Sequence, residues 1–370
     1  MALDVDEVTY FSVHDIDVDF GLTRKSMLDD ARRARAAYGD YGRAALEIAT
    51  ARASGKFPVH WLADTDSAQQ ATPHAVAVER ARRLADAGVD LVHDVTCSIG
   101  TEGEAFRFTD IGYLGSDLDP ARLLMARHNL GPGAWLARAD ALASISRRGV
   151  ILADPARRAG GRRITDPAKL IPPLPDLLDA YPGREMAVKC APGLDFSGWE
   201  GLVSVTSVDG AVKEACLYTP GLGTGREAVV IGAGVDRITS AMPDDVGAGE
   251  PGTFLIDPDG AIVRAGLVRH WAYREHLWML DEHIAYLTGD RIPAGCSGFE
   301  ILEQVPLKKL RAALTPYDAG SLEILVRGVD VDPDALRKKL KLKGTRPMAV
   351  VCTRIGRAGV ALICGPRQWA

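Results

Sequence analysis

The stretch LVHDVTCSIGTEGEAFRFTDIGYLGSDLD, at residues 91–119, decides the fold class of this 370-residue chain. It joins an apolar strand, a loop of small residues, a helix and a second strand that ends in an acid. The first strand ends at Asp94, and the tight turn at residues 96–100 lets the backbone approach a ligand closely. Asp117 follows at the spacing at which a carboxylate reaches a ribose. The stretch therefore predicts a nucleoside-binding unit of a doubly wound α/β fold.

The glycines of this loop argue against a dinucleotide as the ligand. A dinucleotide site needs three glycines, two in the turn and one in the helix, whereas only Gly100 and Gly103 are present. Glu102 and Glu104 follow at the start of the helix, where their charges would repel a diphosphate. A cofactor with a sulfonium and an amino-acid head fits these residues better.

Five segments resemble motifs of the class I S-adenosylmethionine-dependent methyltransferases, beginning with the loop, in which Ser98 replaces the usual first glycine. Asp117 matches the acid that binds both ribose hydroxyls in that family, and Asp140 matches the acid beside the adenine. VILADPARR, at residues 150–158, resembles the fourth-strand motif at the methyl-transfer site, and MAVKCAPG, at residues 186–193, resembles the fifth strand. The resemblance implies a seven-stranded Rossmann-like sheet and S-adenosylmethionine as the cofactor.

The resemblance also implies a set of cofactor contacts at the ends of the first four strands. These residues are Asp94, Thr96, Ser98, Gly100, Thr101, Asp117, Asp140, Ala141 and Pro155. We expect no metal site and no disulfide framework, because the six cysteines are scattered and form no CxxC pair.

Asp154 is the residue that we expect to orient or deprotonate the methyl acceptor. Methyltransferases that act on exocyclic amines commonly have Asn or Asp, two prolines and an aromatic residue here, and the aromatic ring stacks on a flipped base. In this chain Arg157 stands at the aromatic position. We expect Arg157 to clamp a phosphate or carboxylate. Three nearby arginines would support it: Arg158, Arg162 and Arg163.

Cys190 offers an alternative, covalent chemistry. RNA uracil-5 methyltransferases also carry Asp-Pro-Ala-Arg on the fourth strand, and their nucleophile is the cysteine of a Ser-Cys-Asn-Pro motif after the fifth. The matching residues here are Lys189-Cys190-Ala191-Pro192, in which Lys189 would favour the Cys190 thiolate. Because the Ser and the Asn are both replaced, we favour transfer to a base nitrogen. The sequence is also compatible with a small-molecule methyltransferase and with a non-catalytic RNA-binding protein.

Composition predicts a soluble cytoplasmic enzyme of several domains. The formal charge of −5 and the pI near 5.9 exclude a wholly basic nucleic-acid binder, but not a local basic patch. Neither a membrane span nor a secretory leader is expected, because no apolar run reaches about 18 residues. The predicted regions are an N-terminal helical region at 1–75, the methyltransferase core at 76–235, a connecting region packed on the core at 236–295, and an α+β domain at 296–370.

Three local patterns predict particular elements. Thr72 and Pro73 form a helix-start signal, with Thr72 as the N-cap. Asp209-Gly210 lies between two apolar alternations and predicts a hairpin turn. The apolar spacing at residues 262–287 predicts one or two helices.

The last region, at residues 296–370, reads as strand, helix, strand, helix, strand, strand. Its segment LEILVRGVDVDPDALRKKL, at residues 322–340, resembles the THUMP-like domains of bacterial class I methyltransferases. Residues 308–346 contain ten Lys or Arg and five Asp or Glu, which gives this segment a local charge of +5. THUMP domains deliver tRNA and other RNAs to attached enzymes, so the resemblance implies an RNA partner. We expect Lys338, Lys339 and Lys341 to contact its phosphates, although a solvated helix face carries similar charge.

Overall fold

The computed structural model describes residues 2–156, 158–159, 162–163 and 166–370, with the backbone alone for 158–159 and 162–163. The chain divides into two compact units. The first unit covers the chain up to Val208 together with Val212–Gly225. The second unit consists of Asp209–Ala211 and Arg226–Ala370. Arg157, predicted to be catalytic, lies outside the described residues.

Five helices precede the first strand: α1 (Val5–Phe11), α2 (Met27–Tyr38), α3 (Gly42–Ala53), α4 (Thr65–Gln70) and α5 (His74–Asp86). A capping box starts α1, because the Asp4 carboxylate accepts from the Glu7 N–H at 2.8 Å and the Glu7 carboxylate accepts from the Asp4 N–H at 3.0 Å. The N-cap residue of α5 is Pro73 and not Thr72, so the predicted cap is wrong. The Thr72 hydroxyl is instead bonded to Lys189, a long-range contact that competes with capping.

Eleven strands follow: β1 (Leu91–Asp94), β2 (Gly112–Asp117), β3 (Trp135–Arg138), β4 (Val150–Ala153), β5 (Arg158–Ala159), β6 (Arg162–Arg163), β7 (Met186–Cys190), β8 (Leu202–Val208), β9 (Ala211–Tyr218), β10 (Gly225–Ile231) and β11 (Val235–Thr239). Nine of them form one sheet in the order β11-β10-β8-β9-β7-β4-β1-β2-β3, and β5 pairs with β6. The expected count of seven strands is therefore not confirmed. The difference arises because an antiparallel hairpin of β10 and β11 extends the sheet edge.

The parallel part of this sheet positions the candidate site. β1 pairs in parallel with β2 and with β4, while β2 pairs with β3 and β4 with β7. Three helices lie between these strands: α6 (Thr101–Phe106), α7 (Pro120–Leu130) and α8 (Leu174–Ala180). The chain moves outward from β1 to β3 and then returns to β4 on the other side of β1. Such a switch in strand order opens a crevice at the carboxyl ends of the strands, where ligands bind.

The Asp209-Gly210 hairpin is confirmed. Asp209 has φ 49° and Gly210 has φ 74°, and two successive positive φ angles are typical of a type I′ turn between antiparallel strands. The turn joins β8 to β9, and β9 runs antiparallel to β7.

The second unit contains the remaining elements: β12 (Phe254–Ile256), α9 (Gly260–Ala265), α10 (Val268–Glu275), β13 (Trp278–Asp281), β14 (Ile284–Gly289), β15 (Ser297–Pro306), α11 (Leu310–Ala313), β16 (Ala319–Val326), α12 (Pro333–Leu340), β17 (Arg346–Ile355), β18 (Ala358–Cys364) and β19 (Gln368–Trp369). They build an eight-stranded sheet in the order β13-β14-β12-β15-β18-β17-β16, with β19 beside β15. From β15 to β18 the element order is the one predicted from the sequence.

Residues 262–287 differ in part from the prediction. They contain most of α9 and all of α10, but they then form the antiparallel strands β13 and β14. Leu280 and Tyr286 of this hairpin are buried in the core of the second sheet. A short apolar run fits a buried helix or a buried strand equally well, so only its packing distinguishes them. No helix within the described ranges is both long enough and apolar enough to cross a membrane.

Candidate active site

A cavity of about 190 Å³ lies in the first unit, at the carboxyl ends of the parallel strands. It is lined by the loop after β1, by Asp117 at the end of β2, by Asp154 just after β4 and by Lys189 of β7. The N-terminal helices also contribute to its wall. Their lining residues are Ser67, Gln70, Ala71 and Thr72.

The carboxylate of Asp94 is buried at the end of β1. It accepts hydrogen bonds from the Thr96 N–H at 3.1 Å and from the Tyr113 hydroxyl at 2.9 Å. Burial, reinforced by the nearby charge of Glu102, raises the pKa of Asp94 to about 7. The Thr96 hydroxyl in turn accepts from the Asp154 N–H at 2.7 Å, which ties the first loop to the end of β4.

The loop after β1 is closed by Asp117. Ser98 has φ 49° and Gly100 has φ 90°, so both adopt the left-handed conformation. The Ser98 N–H donates to Oδ2 of Asp117 at 3.0 Å, and the Asp119 N–H donates to Oδ1 at 3.0 Å. Ser98 therefore takes the backbone conformation that a glycine usually supplies at this position, and Asp117 is held by two backbone donors.

Lys189 is a site residue whose role the sequence did not reveal. It is the fourth of the five residues of the buried strand β7, and its Nζ is 2.6 Å from Oδ2 of Asp154 and 3.2 Å from Oε1 of Glu102. Burial acts to lower the pKa of Lys189, but the charges of Asp154 and Glu102 outweigh burial and raise that pKa above its ordinary value. The only signal in the sequence is a lone lysine within the apolar strand MAVKC.

Glu102 forms buried ion pairs within the protein. Nη1 of Arg80 donates to both carboxylate oxygens of Glu102 at 2.9 Å, and Nη2 of Arg80 donates to Glu214 of β9. Burial acts to raise the pKa of Glu102, but Arg80 and Lys189 lower it below its ordinary value. Glu102 is therefore held in its charged form by two buried cations, which it shares with Glu214 and Asp154, and the repulsion of a diphosphate stays a prediction. Glu104 pairs with Arg107 at 3.0 Å.

Cys190 is separated from the cavity. Successive side chains of a strand point to opposite faces of the sheet, and Lys189 lines the cavity whereas Cys190 is fully buried and does not. A nucleophile must reach the atom that it attacks, so the structure weighs against a covalent role for Cys190.

The structure brings most of the predicted site residues of the first unit together. Six of them line the cavity: Asp94, Thr96, Ser98, Thr101, Asp117 and Asp154. Four others are not among its lining residues: Gly100, Asp140, Ala141 and Pro155. Asp140 is exposed and accepts from the Leu142 N–H at 2.8 Å. These cofactor assignments remain predictions.

The predicted substrate contacts lie elsewhere in the chain. Arg158, Arg162 and Arg163 belong to the short strands β5 and β6, for which the backbone alone is described. Lys338, Lys339 and Lys341 are exposed in the second unit, at the end of α12.

The chemistry of the cavity fits the cofactor that the motifs imply. The hydroxyl of Ser67 is buried, lines the cavity and has no hydrogen-bond partner among the described residues. An unpaired buried hydroxyl costs free energy, which a polar group of a ligand would offset. Asp117 lines the same cavity with a carboxylate that can accept ribose hydroxyls. No set of three or more His, Cys, Asp or Glu within the described part of the chain could hold a metal ion.

Comparison with known proteins identifies the family. A protein found in two strains of Mycobacterium tuberculosis, described as an S-adenosylmethionine-dependent methyltransferase, is 49% identical over 325 residues. The alignment covers 83% of this chain and 90% of the relative. The chain belongs to the S-adenosylmethionine-dependent methyltransferases. S-adenosylmethionine is accordingly the cofactor of this methyltransferase, as the motifs imply.

Two further comparisons describe the methyltransferase over its length. The family described as "THUMP domain-like" matches residues 296–366, which confirms the resemblance of the C-terminal region. The crystal structure of a proposed methyltransferase from Porphyromonas gingivalis W83 aligns with 99% of this chain and 100% of its own, with a TM-score of 0.63 and 15% identity. At that identity the match shows a shared fold.

Cofactor binding by the methyltransferase should weaken as the pH falls below about 7, because Asp94 has its pKa at about 7. S-adenosylmethionine carries a sulfonium and an ammonium group, and these cations favour the ionised form of a nearby carboxyl. We expect the affinity to fall on the order of tenfold between pH 7.5 and 5.5, measured by calorimetry. Glu102 and Lys189 do not titrate in this range, since the pKa of Glu102 is lowered and that of Lys189 is raised.

The variant Asp94→Asn provides the control for this prediction. Its amide can still accept from the Tyr113 hydroxyl but does not titrate. Its affinity should change little over the same pH range, and an equal pH dependence in both proteins would exclude Asp94 as the cause.

Proposed function

We propose that this methyltransferase modifies RNA, and that it transfers the methyl group to a base nitrogen that Asp154 orients. One observation carries the chemical part of the proposal. Asp154 lines the same cavity as Asp94 and Asp117, and its own N–H is bonded to the Thr96 hydroxyl in the predicted cofactor loop. An acceptor bound by Asp154 would therefore lie beside the cofactor site.

The cavity residues divide into two groups. Asp117 would hold the ribose hydroxyls of the cofactor. Asp94 and the loop that it supports would face the sulfonium and ammonium groups of the cofactor. S-adenosylmethionine supplies an electrophilic methyl group on its sulfonium when it is bound. Methyl transfer requires close, in-line alignment of the acceptor and this group, so positioning by the protein supplies much of the rate.

The ion pair of Asp154 supports orientation of the acceptor over deprotonation. Oδ2 of Asp154 is 2.6 Å from Nζ of Lys189, and this ion pair fixes the direction in which the carboxylate can accept a hydrogen bond. An exocyclic amine needs no strong base, because its proton is lost readily once the methylated nitrogen is cationic. A carboxylate that accepts an N–H of the amine would aim the nitrogen lone pair at the methyl group.

The basic end of α12 supports RNA as the substrate. Lys338 and Lys339 lie in its last turn, and Lys341 follows at the C-cap, all exposed. Arg337 is paired with Asp334 at 2.6 Å and is less available to a ligand. Clustered, exposed ammonium groups bind phosphates with a strong dependence on salt. The match to the THUMP-like family supports the same substrate, since THUMP domains deliver RNA to attached enzymes.

Mass spectrometry of nucleosides tests the proposal directly. RNA from a strain that lacks the gene should be missing one methylated nucleoside, and the wild-type gene should restore it. A variant with Lys338, Lys339 and Lys341 changed to Glu should restore less than about one tenth, because three reversed charges oppose phosphate binding. Restoration is measured as the amount of the methylated nucleoside relative to wild type.

A matched variant distinguishes this effect from a general change of charge. Arg32, Arg33 and Arg35 also form an exposed basic cluster, on α2 of the first unit. Their replacement by Glu should leave restoration near the wild-type level. If every methylated nucleoside persists in the deletion strain, RNA is not the substrate, and a small-molecule acceptor becomes the better candidate.

A further inference from the structure

Lys189 connects three walls of the cavity. Its ammonium has three N–H donors, and each has an acceptor: Oδ2 of Asp154 at 2.6 Å, Oε1 of Glu102 at 3.2 Å and the Thr72 hydroxyl. Asp154 follows β4, Glu102 lies in α6 of the cofactor motif, and Thr72 lies between α4 and α5. One buried side chain thus joins the acceptor site, the cofactor loop and the N-terminal helices.

The position of this ammonium is set by a second layer of charges. Glu102 is bound through both oxygens by Arg80, and Arg80 also binds Glu214 of β9. The side chains of Lys189, Glu102, Arg80 and Glu214 are all at most 6% exposed. Buried charges in such ion pairs move little, since any displacement leaves a charge unpaired in a medium of low dielectric constant.

Stability alone does not account for a lysine at this position. Replacing a buried ion pair by well-packed apolar residues is often neutral or stabilising, so a buried strand such as MAVKC gains little from an ammonium as such. The ammonium does, however, fix the direction of the Asp154 carboxylate. The hydrogen bond between this carboxylate and the methyl acceptor depends steeply on that direction.

We propose that Lys189 is a positioning residue for methyl transfer. Its ammonium holds the Asp154 carboxylate in the orientation that receives the acceptor, and it joins that carboxylate to the cofactor loop through Glu102. This inference rests on the proposed role of Asp154. Lys189 itself takes no proton from the acceptor, because two carboxylates hold it in its charged form.

Kinetics of four proteins test the inference: wild type, Lys189→Met, Asp154→Asn and the double variant. Lys189→Met should lower kcat for methyl transfer to RNA about 100-fold, the cost of a misplaced reactive group. Its calorimetric Kd for S-adenosylmethionine should change by less than about threefold, because Glu102 remains bound to Arg80. The double variant should be no slower than Asp154→Asn alone, since Lys189 acts through Asp154.

NMR of Lys189 provides a second test that needs no methyl acceptor. Loss of the Asp154 carboxylate should shift the Nζ resonance of Lys189 at neutral pH, measured in protein labelled with ¹⁵N-lysine and compared between wild type and Asp154→Asn. The same Nζ resonance in both proteins would show that the ion pair does not form in solution, which overturns the inference.

Two further variants provide a control for Lys189→Met and a substitute for it if it does not fold. Cys190→Ala changes the neighbouring buried residue of β7 and should leave kcat within about threefold of wild type, as expected for a site away from the cavity. If Lys189→Met does not fold, Thr72→Val removes one acceptor of the ammonium and should lower kcat at unchanged Kd. Full activity of Lys189→Met, or losses that add to those of Asp154→Asn, would overturn the inference. Full activity of Asp154→Asn alone would instead overturn the proposed function.

Discussion

Asp154→Asn should lose about a thousandfold in kcat and still bind S-adenosylmethionine, because a carboxylate that orients an acceptor contributes in the transition state. The amide has nearly the same shape, but it replaces one acceptor oxygen by a donor and cannot form the ion pair with Lys189. Single-turnover methyl transfer to RNA, combined with calorimetry of cofactor binding, separates the two effects. The affinity for S-adenosylmethionine should stay within about threefold of wild type, since the backbone N–H of residue 154 still bonds to Thr96.

Cys190→Ala provides the contrast for this prediction. The covalent mechanism and nitrogen methylation give opposite results, because only the covalent mechanism needs the thiol. Cys190 is fully buried and outside the cavity lining, so the variant should retain its turnover. If Cys190→Ala were inactive and Asp154→Asn active, the covalent mechanism would replace nitrogen methylation as the assignment.

Asp117→Ala should weaken the binding of S-adenosylmethionine by about 100-fold. The carboxylate lines the cavity at the end of β2, and hydrogen bonds to a charged group contribute about 1.5 to 3 kcal/mol each. The variant also frees the Ser98 N–H, so the loop after β1 loses the bond that closes it. Calorimetric titration of the cofactor measures the effect.

Asp119→Ala is the matched control for this prediction. Asp119 lies two residues further on and caps α7, where its carboxylate accepts from the Ala121 N–H at 2.8 Å. Its loss should lower the stability of the protein by about 1 kcal/mol while the affinity for the cofactor changes little. Equal losses of affinity in both variants would mean that the effect is one of folding and not of a contact at Asp117.

The convergence of the acids that line the cavity was predictable because these residues follow a local rule. Each of Asp94, Asp117 and Asp154 comes at or just after the end of an apolar strand. Parallel strands bring their carboxyl ends to one edge of a sheet, so residues that are far apart in the chain converge without any further information. The resemblance of the motifs to those of class I methyltransferases predicted the family, which the relative of 49% identity confirms.

The surroundings of Asp154 were only partly predictable. Asp154 was expected from its motif. The sequence suggested a role for its partner Lys189 only in the covalent alternative, where Lys189 would favour the Cys190 thiolate. The ion pair of Glu102 was not predictable, because its partner Arg80 lies 22 residues earlier in the sequence. Arg80 is also bonded to Glu214, across 134 residues, a pairing that no local pattern reveals.

Taken by itself, the sequence determined the order of strands and helices through the core, the loop that follows β1 and the acids at the strand ends. These features depend on periodicity and turn chemistry within a few residues. The tertiary structure alone decided that Lys189 faces the cavity, that Glu102 forms buried ion pairs, that Thr72 bonds to Lys189 and that the sheet has two more strands at its edge. Ion pairs and sheet edges depend on groups that meet only after the chain has folded, and the charge of a residue acts through those neighbours.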